Sequence, residues 1–464
     1  MTSLDAVPTL DPQEAPVTDE AAAPPAPARH GGREPVTTSD RRGRAGIGVL
    51  VTAAGADAVA IGVILPALPF IVIAMHGGAF GLGILLAAAS VAALVAAPVW
   101  GALADRYGTR RLLLIAPLVA AAGHVVFAFS TNYPTLFVGR VVAGLGAAVA
   151  LLAQTHAARI VADADRTGVI GRVTAAQGVG NIVGPALGGL VLSYGTIAVG
   201  LTAAAGPLVA WLLTVFLLPA AEPRPVARPG RQRRLTARPG RQRRLTAMVT
   251  ALRQRRLRRT ATAILVGWLC FTGYATVLPV ELADRLAITA ATYGVIIAIS
   301  GVVAVVVRGL LLGRLVRAFG ETRLMVGGAA LIAASMLLAP VVPAGWAVPV
   351  LPLTWALGAS VLFPCAVAEM SRIAGPDSVG LAMGAAAMLA GIGSVAGPLV
   401  AGTVRTFLWA PGPFVAGAAL MLAVAVLVGT RAHGPGAAGG SVESPGGAGA
   451  GDRDVGRRQE HAAG

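Results

Sequence analysis

Twelve apolar runs fill most of this 464-residue chain. At a rise of about 1.5 Å per residue, each is long enough to cross the roughly 30 Å hydrocarbon core of a bilayer as a helix. They lie at 46–74, 79–103, 110–130, 133–158, 168–193, 196–219, 261–283, 290–313, 322–343, 346–370, 378–405 and 411–430. In hydrocarbon every backbone polar group must be satisfied within its own segment, so runs of this length must be helical. Only 12% of the residues are charged, against about 25% in an average soluble protein, and 60 are glycine, which suits closely packed membrane helices. The two cysteines, Cys270 and Cys365, stand inside apolar runs and exclude a secreted disulfide scaffold. The reading is an all-α, polytopic membrane protein.

Charge fixes the expected orientation. All 37 basic residues are Arg, and 14 of them fall between Glu222 and Arg259, where there is one acid. That single polar insertion carries +13 of the net charge of +16. Such a surplus between two apolar halves marks a cytoplasmic loop rather than a nucleic-acid-binding domain. The even-numbered gaps and both tails also hold Arg, whereas the odd gaps hold almost none beyond Arg285 and Arg405. The alternation predicts both termini in the cytoplasm and an even number of spans in the cell membrane. Residues 1–45 and 432–464 read as disordered cytoplasmic tails, and no apolar core follows a short basic start as in a secretory signal.

The chain contains two repeats. Ala227–Thr236 is duplicated as Ala237–Thr246, each ARPGRQRRLT, as expected of a slipped duplication in a loop that tolerates length change. The larger repeat is fainter. Gly101, Asp105, Arg106, Gly108, Arg110 and Arg111 recur in part at Gly313, Arg317, Gly320 and Arg323, shifted by 212 residues. Gly171, Gly180, Gly184-Pro185 and Gly188-Gly189 recur at Gly384, Gly393, Gly397-Pro398 and Ala401-Gly402, shifted by 213. One shift shared by two motifs implies two homologous six-helix bundles, 46–220 and 261–431, joined by the basic linker 221–260. Parallel halves with a site at their interface are a transporter architecture.

The pattern Gly101-x-Leu-x-Asp105-Arg106-x-Gly108-x-Arg110-Arg111 between the second and third runs resembles the loop signature of the major facilitator superfamily. The set Gly171, Gly180, Gly184, Pro185, Gly188 and Gly189 in the fifth run resembles the signature of its exporters, and Leu136, Arg140 and Gly144 that of the fourth helix. The last departs from the family at Ala143, where a Gln is often found. The chain therefore resembles the twelve-helix drug:proton antiporters over residues 46–430. That resemblance implies a major facilitator fold, with the 101–111 cluster as a conformational switch steadying one open state. It implies export of a hydrophobic or amphiphilic small molecule in exchange for protons. The alternatives are a proton-coupled importer of a sugar or organic acid on the same fold, and a non-transporting protein whose linker is a regulatory platform. Gly180, Gly184 and Gly188, four apart, line one helix face and admit another backbone, while Pro185 permits a bend there.

Two charges lie inside apolar runs of the first half. Asp57 is the only acid well within any of the first six, and Arg140 lies several residues into the fourth. A charge at this depth costs about 2.5–3.5 kcal/mol on insertion scales, so it belongs on a cavity or beside a partner. Burial and a nearby guanidinium pull a carboxyl's proton affinity in opposite directions, so Asp57 paired with Arg140 suits proton coupling. Similar antiporters carry an acid near this level of helix one. The equivalent positions of the second half are Leu269 and Pro352, so coupling is expected to be asymmetric.

For substrate, helices seven and ten offer Trp268, Phe271, Tyr274, Trp355 and Phe363, the first three at a spacing that makes an aromatic stripe. Pro66, Pro69, Pro279 and Pro364 are placed to bend the helices around them. Glu281 and Asp284 are expected to be solvated at a helix end, Glu369 and Arg308 to be gating or interfacial, and His124 and His156 to be packed or interfacial. With no phosphate-binding loop, metal-ligand spacing or nucleophile elbow, no cofactor, metal or enzymatic activity is expected. The expected partners are a small-molecule substrate, protons and the lipid bilayer, and the expected state is a monomer. Deleting Ala237–Thr246 should leave transport within about twofold of the parent, measured as flux in whole cells, because a loop's closing entropy changes only slowly with its length.

Overall fold

The computed structural model describes residues 38–161, 166–218, 255–374 and 379–430. The duplicated segment 227–246 and most of both tails lie outside the described residues. Among the described residues the chain is helical, without strands. Its spans are α1 (Ala45–Ala74), α2 (Ala79–Tyr107), α3 (Thr109–Ala128), α4 (Tyr133–Ile160), α5 (Gly168–Tyr194) and α6 (Thr196–Leu217). The second set is α7 (Leu257–Leu286), α8 (Ala290–Phe319), α9 (Glu321–Leu338), α10 (Ala344–Ile373), α11 (Ala382–Leu408) and α12 (Gly412–Gly429).

These twelve spans match the twelve apolar runs, with shifts at the ends that have local causes. The first helix begins at Thr38, inside the segment expected to be a disordered tail. The helix carrying α7 begins at Arg255, inside the expected linker. Once tertiary packing fixes a helix, adding a preceding polar turn costs little, because only nucleation is expensive. α9 ends at Leu338, before Pro340 and Pro343, neither of which continues a helix. Helix assignment runs unbroken past Pro66, Pro69, Pro279 and Pro364. Among the described residues, α4 breaks at Ala147–Ala148 and α8 passes through a π-helical stretch at Val307–Leu311, and neither place has a proline.

The repeat seen in the sequence is repeated in the packing. A Cβ placed on Gly180 would fall 2.6 Å from the Gly55 carbonyl oxygen, on Gly184 2.6 Å from Val59 O, and on Gly188 2.0 Å from Val63 O. α5 therefore lies against α1 backbone to backbone, along the face that the four-residue spacing defines. In the second half, Gly393 and Gly397 put α11 against α7 in the same way, at Leu265 O (2.8 Å) and Leu269 O (2.4 Å). The turns before α3 and α9 match too, with Gly108 and Gly320 at φ of 86° and 76°, a left-handed conformation that favours glycine.

The halves meet through α2 with α11 and α5 with α8, from the end away from the linker to mid-span, where Gly391 meets Leu94 and Gly301 meets Ile182. Gly83 faces Pro398 O, Gly402 faces Ala79 O, Gly189 faces Ala290 O and Gly294 faces Pro185 O, each within 2.4–2.6 Å of a would-be Cβ. There the Phe80 N–H donates to Thr406 Oγ1 (3.1 Å), and the Phe80 and Phe407 rings stand edge to face at 5.2 Å. On the side where the 218–255 linker leaves, Gly101, Gly171, Gly309, Gly313 and Gly384 face open space. The molecule is closed on the far side and parted on the linker side. Gly188→Leu, which must displace the Val63 backbone, should cost on the order of 3 kcal/mol, whereas Gly171→Ala should not lower stability. Melting of the two detergent-purified variants checks this; equal melting temperatures would remove the α1–α5 seam as a constraint.

Candidate functional site

The apolar core of the first bundle is split in two. One cluster near the linker side holds Leu50, Ala54, Leu113, Val149 and Leu152; another toward the far side holds Val63, Leu82, Phe127 and Leu136. Between them, at mid-height, lies a cavity of about 190 Å³ bounded by α1, α2, α3 and α4. Its polar groups are Asp57, Ser90, His124 and Arg140, and the rest of its wall is Ile61, alanine and Gly144. Asp57 and His124 are buried, at 7% and 5% exposure. The Ser90 hydroxyl donates to its own helix at Leu86 O (3.0 Å).

Asp57 and Arg140, expected as a pair, share this cavity without touching. Among the described residues no ion pair joins them, and Arg140 Nε is buried without a hydrogen-bond partner. His124, expected to be packed or interfacial, is buried and is the third ionisable group on the same wall, and its Nδ1 has no partner either. The α4 break adjoins them: Gly144 and Ala147 line the cavity, and the Trp100 indole donates to Leu145 O at 2.8 Å. Irregular backbone at membrane depth is tolerated where neighbours satisfy it, as the Trp100 indole does beside this break. The sequence signal that would have found His124 is its neighbour Gly123. That glycine, with Gly139 and Gly146, brings the α3 and α4 backbones into contact.

The cluster expected to be a switch sits at the linker-side end of α2 and start of α3. Asp105 bonds Arg159 of α4 at 2.8 Å, and Arg159 also reaches Ala104 O. Arg110 Nε donates to Leu218 O beyond α6 (3.1 Å), and Arg106 lies over the Tyr107 ring. Gly108 forms the turn, and Gly101 and the exposed Arg111 complete the stretch. The recorded links of Asp105 and Arg110 stay within the first bundle. Position 159 shifted by 213 is Arg372, at the end of α10, and Arg372 bonds Glu321 and Glu369. The repeat thus preserves a tie from the fourth helix of each bundle to the preceding turn, although the acid has moved.

In the fifth helix, Gly180, Gly184 and Gly188 form the seam with α1 and the Pro185 ring meets Gly62 there, while the Pro185 carbonyl and Gly189 face α8 and Gly171 faces open space. The five aromatic residues singled out in the second bundle form one cluster. Phe271 and Trp355 stack at 4.6 Å and 13°, and Trp268 packs on Phe363 at 4.9 Å. Tyr274 departs from the expected stripe: it is buried, bonds Ser335 Oγ (2.9 Å) and touches Phe414, so it serves the interior of its own bundle. A three-residue step turns a helix 60° short of a full circle, enough to carry the third residue of the stripe away from the first two. Glu281 also departs from expectation. It is buried and holds the buried Arg405 together with Asp284, whose side chain remains largely exposed as anticipated.

The comparisons agree with this architecture. The family model described as Major Facilitator Superfamily matches residues 50–398 and, in a second alignment, 276–447. The class C tetracycline resistance protein of Escherichia coli is 29% identical over 377 residues, covering 79% of this chain and 92% of that protein. Multidrug resistance protein 2 of Bacillus subtilis (strain 168) is 26% identical over 349 residues, covering 74% and 84%. Among solved structures, the nucleoside transporter NupG superposes with a TM-score of 0.67 at 14% identity, over 83% of this chain and 99% of that one. The human organic anion transporter TETRAN gives 0.58 at 20%, over 83% and 99%. At those identities the likeness is one of fold. Twelve spans in two repeated bundles and a family match over most of its length place the chain in the major facilitator superfamily, as a multi-pass membrane transporter of small molecules and not an enzyme.

Proposed function

We propose that this transporter exports a hydrophobic or amphiphilic, drug-like molecule across the cell membrane in exchange for protons. The observation that carries the reading is Asp57. It is a carboxyl buried at mid-height in a polar cavity, without a recorded ion pair, facing the same space as Arg140. A group so placed gains a proton or a donor from cargo with little competition from the protein itself, which is what exchange requires. The names of the relatives, a tetracycline and a multidrug resistance protein, support export and an amphiphilic cargo.

The Arg distribution supports a cytoplasmic position for both termini and the linker. With that orientation the parted side is cytoplasmic, and the conformation is the inward-open one that loads cargo from the cell. Trp268 and Phe271, only half-buried, then offer cargo an apolar surface backed by the buried Trp355 and Phe363. Protonation of Asp57 favours one opening and cargo the other, with the closed contacts at Gly83–Pro398 and Gly189–Ala290 breaking and re-forming as the bundles rock. The 101–111 cluster, tied to Arg159, sets how the linker side closes. The transporter works as a monomer.

Everted vesicles carrying the protein, with an acid interior imposed, should accumulate tetracycline or ethidium, and an uncoupler should abolish the uptake. An importer of a sugar or organic acid would accumulate its substrate in right-side-out vesicles instead. Asp57→Asn should lower gradient-driven uptake at least about tenfold, the scale of losing one charge-assisted interaction, with membrane insertion unchanged. Wild-type uptake by that variant would remove Asp57 from the mechanism.

A further inference from the structure

Within the span α8 stands a charge that the rest of the protein does not answer. Arg308 lies about 16 Å from the linker-side end of the span at Phe319, at 1.5 Å per residue, and it is exposed. Among the described residues its guanidinium makes no hydrogen bond or ion pair. Arginine inside a span almost always faces a bundle interior or a water-filled opening and marks a substrate or ion path, because lipid does not solvate it.

The face on which Arg308 lies follows from contacts one and two heptads away. Seven residues bring a helix to within about 20° of its starting direction. Gly294 meets Pro185 O and Gly189 of α5, and Gly301 meets Ile182 of α5. Arg308 is next in that row, just beyond the last contact. There the two helices have separated: a Cβ on Gly309, or on Gly178 of α5, would meet nothing within 4 Å. Arg308 therefore stands at the apex of the opening between the bundles, on the parted side. The backbone at this point, Val307–Leu311, is π-helical, a rare form frequently found at functional sites.

No acid is placed to meet it. The part of α5 that runs from Ile182 toward the linker side, residues 172–181, holds Arg172 and no carboxylate. α10, which packs on the π-helical stretch, has one acid, Glu369, and Arg372 holds it. The π-helical stretch that ends α11, Val404–Leu408, also carries an arginine at its second position, and there Glu281 and Asp284 bind it. Arg308 has the same backbone setting without the acids.

We propose that Arg308 binds an anionic group of the cargo, a carboxylate being the best match, which supplies the countercharge that the protein omits at the apex of the opening. A planar guanidinium meets a carboxylate through two parallel N–H···O bonds, which fixes orientation as well as affinity. The cargo is then an amphiphilic acid or zwitterion rather than a simple lipophilic cation. This names the class of cargo and rests on the reading of the chain as an exporter that loads from an inward-open state.

The test uses the full-length protein purified in detergent and two dyes that share one ring system: fluorescein, which carries a carboxylate, and rhodamine 6G, an ester and a cation. Fluorescence anisotropy, read against empty micelles, gives a dissociation constant for each. Fluorescein should bind, and Arg308→Gln should shift the ratio of the two constants about tenfold against it. Arg308→Lys, which keeps the charge, should hold the ratio nearer its parental value. Melting temperatures identify a misfolded variant, and should the Gln variant fail to fold, Arg308→Ala takes its place. No binding of fluorescein, or a ratio unmoved by loss of the charge, overturns the inference. Uptake of both dyes into everted vesicles under a proton gradient keeps the two readings apart. Gradient-driven uptake of rhodamine 6G without Arg308-dependent binding of fluorescein would overturn only this inference. Arg308-dependent binding without gradient-driven uptake of either dye would overturn the export reading and leave Arg308 as an anion site.

Discussion

Contact of helix backbones across glycine faces is the constraint on which the rest of this molecule depends. In a bilayer, lipid tails are as apolar as leucine, so helices gain little by hiding side chains from their surroundings and associate through close packing instead. Glycine removes the one atom that keeps two backbones apart. Val63 O lies where a Cβ of Gly188 would be, and Leu269 O where one of Gly397 would be. Each bundle is thereby locked along a seam between its first and fifth helices. The same two fifth helices, through Pro185 and Gly189 on one side and Pro398 and Gly402 on the other, also make the contacts that close the far side.

Polar groups follow different rules at the same depth. Packing tolerates Asp57, Arg140 and His124 only because the first bundle divides its apolar core and leaves a cavity between the parts. The second bundle has a single continuous core, and the corresponding positions, Leu269 and Pro352, are apolar. Arg308 stands apart, in the π-helical stretch Val307–Leu311 of α8; the ion pairs of that bundle lie at its ends, where Arg405 binds Glu281 and Asp284 on the far side and Arg372 binds Glu321 and Glu369 on the linker side. A buried arginine with two acids is costly to break, because removing one partner leaves an uncompensated charge, so these ties hold helix ends rather than move.

Much of this was legible in the sequence, because the features concerned are periodic or local. Span length follows from hydrocarbon thickness, the repeat from a constant shift, and the α1–α5 and α7–α11 seams from glycines four apart. What was not legible depends on which way a face turns. Trp268, Phe271 and Tyr274 share a spacing and Phe271 and Tyr274 both pack on Trp355, yet Tyr274 is buried and reaches past it to Ser335 and Phe414. Glu281 and Arg405 are 124 residues apart, and no periodicity links them. The break in α4 has no proline to announce it, and its nearest sequence mark is the small-residue run Gly144–Ala148. His124 looked like an isolated histidine because Arg140, with which it shares a cavity, is on another helix.

The glycine seam and the polar cavity are mechanically one device. The atoms that a Cβ on Gly180 would meet belong to Gly55, Ala58 and Val59, the residues bracketing Asp57. The turn of α1 that carries the carboxyl is thus pressed against α5, and the far end of α5 is pressed against Ala290 and Gly294 of α8 in the other bundle. Packed interiors transmit displacement rather than absorb it. A shift of α8 past α5 therefore reaches the Asp57 turn through a single intervening helix. In the second bundle Gly393 meets the Cβ of Trp268 and Gly397 meets Thr272 Oγ1, so α11, touching α2, stands in the same relation to the aromatic cluster. The two halves have kept one transmission and attached different chemistry to it, a carboxyl in the first and a flat apolar surface in the second. On the proposed function, a duplicated scaffold assigns proton and cargo to separate bundles while a single rocking motion serves both.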